Sequence, residues 1–223
     1  MNESPHTGAD VLADTVISTY AVLHARMRSA EASRPTRERP RAALSAADPF
    51  LASTSRHVSA ANAVLAPAAR HHLEQGGERV HELALQSKRL EVALTELKAK
   101  LYGSTWVVRR SWTGIWDEVE RELAALRTME LRLARDLSAA LDDAQRGGLA
   151  EQLYRTEKRV PTRPHPYLPH HGLAGRLARR IALQVDRFWD TAEGRMVPEP
   201  VRPHRGREGL IAQYLLADPH FPG

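Results

Sequence analysis

The chain of 223 residues has no cysteine. That excludes disulfides, thiolate zinc sites and cysteine nucleophiles, and it fits a reducing, cytosolic setting. Aromatic residues make up only 5%, so a core must be built mainly from aliphatic side chains. Lysine is nearly missing, with four among 32 basic residues. A preference for arginine often follows genome composition, so the net charge of +5 and pI of about 9.9 read first as a basic soluble surface and only second as a nucleic-acid signature. No stretch approaches ~20 uninterrupted apolar residues, and no spanning helix is expected. The opening MNESPHTGADV has neither a basic nor an apolar leader region, so no secretory signal is expected. The localisation these features imply is cytoplasmic.

Catalytic motifs are missing as well. There is no G-x-S-x-G, no phosphate-binding glycine loop and no G-x-G-x-x-G. His81-Glu82 lacks the second histidine of an H-E-x-x-H motif, because Leu85 stands one turn on. Nothing marks the chain as an enzyme. No internal repeat and no period-two strand pattern is present.

What is present is helical composition: 42% hydrophobic residues, with alanine, leucine, arginine and glutamate prominent. Residues 9–31 read as a first helix with Val16, Tyr20, Leu23 and Met27 on one face. Residues 33–47 read as a Pro/Arg-rich linker, since Pro35 and Pro40 interrupt helix. A second helix is expected from Asp48 as N-cap, with Pro49 in its first turn, to about Leu73, kinked at Pro67. A third covers about 78–101 with Val80, Leu83, Leu90, Leu94, Leu97 and Leu101 as its stripe. A fourth covers about 112–144 with Trp116, Val119, Leu123, Leu126, Leu133, Leu137 and Leu141. Gly147-Gly148 reads as a break before a short helix over 149–159. The fold expected is all-α: a four-helix up-down bundle with a C-terminal helical extension. The divisions are 1–32 (N-terminal helix), 33–47 (linker), 48–160 (bundle core), 161–171 (Pro/His-rich tract) and 172–223 (amphipathic helix and tail).

The tract Pro161-Thr-Arg-Pro-His-Pro-Tyr-Leu-Pro-His-His171 follows Glu-Lys-Arg-Val. Its prolines lack the N–H a helix needs, so it ends one helical body and begins a tail. It resembles the T-R-P-H-P ending of bacterial hemerythrin-like (HHE cation-binding) four-helix proteins. The second helix of that family reads H-E-x-x-E-E-x-x-x-H-P. Here His57-Val-Ser-Ala-Ala-Asn-Ala-Val-Leu-Ala-Pro67 keeps the first histidine and the proline. Ala61 and Asn62 stand at carboxylate positions, and Ala66 at the second histidine. The family's third-helix E-E-H group corresponds to Gln86-Ser-Lys-Arg-Leu-Glu91, without histidine. Its fourth-helix H-x-x-x-E-E corresponds to Ala125-Leu-Arg-Thr-Met129-Glu130, which keeps one glutamate. His24 lies 33 positions before His57, close to the spacing of the family's first-helix histidine. The resemblance covers roughly residues 9–170 and implies the fold more than the activity.

Two accounts of the inward-facing ionisable residues follow. His24, His57, Glu91 and Glu130 form a reduced metal site for iron, manganese or another divalent ion, since nitrogen and oxygen ligands suit these metals. Or they form a structural polar cluster, such as a hydrogen bond between His57 and Glu130. The second is favoured, because half or more of the family's ligands are absent.

Residues 172–195 read as an amphipathic helix with Leu173, Leu177, Ile181, Val185 and Phe188 on one face. Arg176, Arg179, Arg180 and Arg187 give it a basic surface, suited to an anionic membrane, to nucleic-acid phosphates or to plain solvation while the apolar face packs on the bundle or a second protomer. The function that emerges is a divergent hemerythrin-like protein with a degenerate metal site and a binding role, its partner a protein or a second copy. The alternatives are a non-haem iron or manganese protein for oxygen, nitric oxide or redox sensing, and a basic nucleic-acid or membrane-surface regulator.

Overall fold

The computed structural model describes residues 10–33, 42–102, 109–160 and 198–203. Its regular structure consists of five α-helices: α1 (Val11–Ala32), α2 (Ala42–His72), α3 (Gly76–Leu101), α4 (Trp112–Ala140) and α5 (Asp143–Glu157). No strand occurs among the described residues, and no helix there is long and apolar enough to cross a membrane.

Periodicity explains how the helices pack. Val16, Tyr20, Leu23 and Met27 of α1 are all buried, as are Val80, Leu83, Leu90, Leu94 and Leu97 of α3. On α4 the buried series Trp116, Val119, Leu123, Leu126, Leu133 and Leu137 contains one charged member, Glu130. These stripes converge with Phe50, Leu51, Val58 and Leu65 of α2 in one apolar cluster. The first four helices pack in a ring, α1 on α2, α2 on α3, α3 on α4 and α4 on α1, with a lesser contact between α2 and α4 across it. Contacts between neighbours run in opposite numerical order. Tyr20 meets His57 while Arg26 meets Ser53, and Arg79 meets Asp136 while Gln86 meets Glu122.

The fifth helix lies on α1 and α2. A second, smaller apolar cluster joins Ala60 and Val64 of α2 to Leu153 and Val160. α2 is therefore covered on several sides, and its run of small residues (Ala52, Ser53, Thr54, Ser55, Ala60, Ala61), all buried, lets neighbours approach closely.

Two boundaries differ from those the sequence suggested. α2 begins at Ala42, so the second half of the expected linker is helical, and Asp48 and Pro49 lie inside the helix and do not cap it. The alanine-rich AALSAA segment favours helix, and burial of Ala47 beside Phe50 compensates for the N–H that Pro49 lacks. As expected, the helix runs through Pro67 and ends at His72, next to Leu73. The break between α4 and α5 falls at Leu141-Asp142, not at Gly147-Gly148, which lie within α5. Asp142 accepts from the backbone N–H of Gln145 at 2.8 Å, and the Gln145 side chain accepts from the N–H of Asp142 at 3.1 Å. This reciprocal capping box starts a new helix. The Pro/His tract, the expected helix over 172–195 with Arg176, Arg179, Arg180 and Arg187, and the last residues from 204 lie outside the described residues.

Candidate functional site

Four helices each place one polar side chain at a common point in the interior: Tyr20 from α1, His57 from α2, Glu130 from α4 and Glu157 from α5. His57 is 1% exposed and Glu130 0%. The two ring nitrogens of His57 are both taken. Nε2 lies 2.8 Å from Glu130 Oε2 and Nδ1 lies 2.7 Å from Glu157 Oε1. The carboxylates thus flank the imidazole from opposite sides, in the plane where its two N–H bonds point.

Burial alone would lower the pKa of His57. The charge and hydrogen bond of Glu130, then the hydrogen bond and charge of Glu157, outweigh it and raise the pKa to about 10. The raised value favours an imidazolium donating to both glutamates at neutral pH. Arg26 on α1 lies in the field of Glu157: burial and the nearby Arg56 lower its pKa, and Glu157 raises it. That guanidinium also donates to the Ser53 hydroxyl.

Tyr20 packs edge-on to the imidazole, with ring centroids 5.2 Å apart and an interplanar angle of 89°. Burial first, and then the charge of Glu130, hold its phenol well above the usual tyrosine range, so it stays neutral. The hydroxyl faces Glu130, which raises its pKa further as a hydrogen-bond partner, although the pair falls outside strict hydrogen-bond geometry.

The residues expected to act together are divided. His57 and Glu130 meet, as the structural account anticipated. His24 is only half-buried at the edge of the α1 stripe. Burial, Arg127 and Arg28 lower its pKa, against Glu120, so its surroundings are those of the α1–α4 rim. Glu91 is buried on α3 at 3% exposure. Among the described residues no three His, Asp or Glu side chains are arranged to hold a metal ion. A metal-ligating imidazole must present a lone pair from one nitrogen. Here each nitrogen faces a carboxylate oxygen at hydrogen-bond distance, and the ring itself separates the two carboxylates. This donor set does not fit the centre that the family resemblance implies.

Glu157 and the phenol of Tyr20 are the parts that sequence reasoning missed. A signal for Glu157 existed: Ala150, Leu153 and Glu157 recur at three and four residues and are all buried. Tyr20 was legible as a core residue, but nothing in the sequence pointed its hydroxyl at Glu130. Comparisons with protein-family models, curated proteins and solved structures find no match to this chain.

Proposed function

We propose that the chain is a divergent hemerythrin-like, four-helix up-down bundle whose metal site has become a structural imidazolium cluster, and that it works by binding a partner. The closed ring of four helices with oppositely running neighbours supports the bundle. The observation that carries the loss of the metal is the double engagement of His57, at 2.7 and 2.8 Å, by Glu157 and Glu130. An imidazolium with both N–H groups satisfied is a cation at the centre of the bundle, where a metal-binding relative would place its ion. It neutralises much of the buried carboxylate charge and ties α2, α4 and α5 together.

A second reading, an atypical iron or manganese site, draws on one observation: Glu130 Oε1 is buried without a hydrogen bond, as a carboxylate oxygen awaiting a cation would be. It requires His57 to give up a proton and one glutamate partner.

Metal analysis by mass spectrometry on untagged protein, beside a His57→Ala/Glu130→Ala variant, separates the two. The proposal expects sub-stoichiometric metal in both. About one ion per chain, lost in the variant, would establish the second reading.

A further inference from the structure

The outward face of α3 is divided by charge about a single apolar residue. Leu85 is 46% exposed and is the one large aliphatic side chain left exposed among the described residues. Glu78 and Glu82 precede it on the helix, Lys88 and Arg89 follow it, and all four are exposed. At 3.6 residues per turn these four fall within about 60° of the Leu85 direction, so they share its face.

The helix does not satisfy these charges itself. Glu78 and Glu82 stand one turn apart and repel each other. Neither they nor Lys88 form an ion pair among the described residues, and Arg89 reaches only the Gln86 side chain, at 3.5 Å. A face that is acidic at one end, basic at the other and apolar at its centre is complementary to itself turned end for end.

We propose that this face docks a second copy of this chain, α3 against α3, antiparallel about Leu85. The inference rests on the binding role proposed above and names its surface and its partner. A twofold axis at the Leu85 contact makes the interface isologous, so every pairing occurs twice. The acidic half of each copy meets the basic half of the other, whereas parallel pairing would set like charges against each other. The same axis keeps a side chain on its own side of the face. Arg89 donates to Gln86, which in turn donates to Glu122 of α4, so Arg89 lies on the α4 side. Glu82 lies there too, at a hollow of about 250 Å³ between α3 and α4. Arg89 of the second copy therefore comes to this hollow. Glu78 and Glu82 stand on its rim, with Leu83, Met129 and Leu133 lining it. Its own cations are Arg79, paired with Asp136, and Arg132. An incoming arginine can lay its stem on the apolar lining and its guanidinium against the two carboxylates.

Sedimentation equilibrium of the full chain tests this. A contact made by one helix face is small, so the unaltered chain should pass from monomer to dimer at concentrations on the order of micromolar and above. The dimer should weaken as salt rises. Glu78→Lys/Glu82→Lys and Lys88→Glu/Arg89→Glu chains should each dimerise at least about a hundredfold more weakly, because like charges then face each other. An equimolar mixture of the two should form a heterodimer, since the swapped halves match again. That rescue separates recognition from a folding defect. An unaltered chain that stays monomeric even at millimolar concentration would overturn the proposal and leave the face to a different partner. A dimer that survives both charge reversals, or a mixture that does not assemble, would overturn it as well. Stoichiometric metal would defeat the degenerate-site reading and leave this equilibrium unmoved.

Discussion

Glu130 and His57, 73 positions apart in sequence, meet at 2.8 Å in the fully buried interior. Each is costly there alone. A buried carboxylate without a cation loses its hydration with nothing in return, and a buried imidazolium does the same. Their pairing, completed by Glu157 on the far nitrogen, makes the position of each helix depend on the others.

Removing the cation should be the most damaging single change at this site. His57→Gln leaves Glu130 and Glu157 as two facing buried carboxylates, and a destabilisation of about 3–5 kcal/mol is expected by urea unfolding. His57→Gln/Glu130→Gln should recover part of that loss, because one stranded charge is gone. A double variant no more stable than the single would contradict the pairing.

Stability should fall in mild alkali. His57 has a folded pKa of about 10 against an ordinary 6.5. A raised folded pKa gives stability that is fully present below the unfolded value and disappears as pH rises through the folded one. The loss therefore spans about pH 6.5–10 and approaches 1.4 kcal/mol per pH unit inside that window. Tyr20, also raised, adds loss in the same direction above pH 10. Urea midpoints at pH 7 and pH 9.5 measure the slope, and in His57→Gln the portion below pH 10 should flatten.

Gly76, at the α2–α3 junction, and Gly148, inside α5, should respond oppositely to alanine. A Cβ on Gly76 would run into the backbone carbonyl of Ala69, where α2 turns into α3 after Gln75 at φ 52°. Gly76→Ala should destabilise by about 1–3 kcal/mol. A Cβ on Gly148, inside α5, meets nothing within 4 Å, so Gly148→Ala should stabilise by about 0.5–1 kcal/mol through helix propensity. Thermal melts of the two variants decide.

The start of α5 depends on Asp142. Asp142→Ala removes the carboxylate that accepts from the Gln145 N–H in the capping box and should cost about 1 kcal/mol. Because α5 carries Glu157, amide exchange should speed up in α5 before it does in α3.

The stripes of α1 and α3 were legible because their apolar residues repeat with helical period, even though Thr19 in α1 and Gln86 and Ser87 in α3 are buried beside them. His57 and Glu130 were legible as a pair for the same reason: both fall where leucine or valine would be expected. His24 was misleading, since a residue next to the stripe has the same spacing as one within it. Only neighbours such as Arg127 reveal that it sits at the rim. Asp48-Pro49 resembled a helix start because caps are judged locally, whereas burial of Ala47 and Phe50 is a tertiary effect. The Gly-Gly pair in α5 misled for the converse reason: glycine disfavours helix only by about 1 kcal/mol, and an intact capping box with a buried face exceeds that. Glu157 stayed hidden because the short helix over 149–159 was assigned no buried stripe, although Ala150, Leu153, Tyr154 and Glu157 are its buried positions.

The protonation state of His57 tests the central claim most directly. A two-bond 1H–15N correlation spectrum of its imidazole at pH 8, on protein as purified, should show both nitrogens protonated, with titration only near pH 10. A neutral ring titrating near 6.5, or one nitrogen bound to metal, would contradict the account.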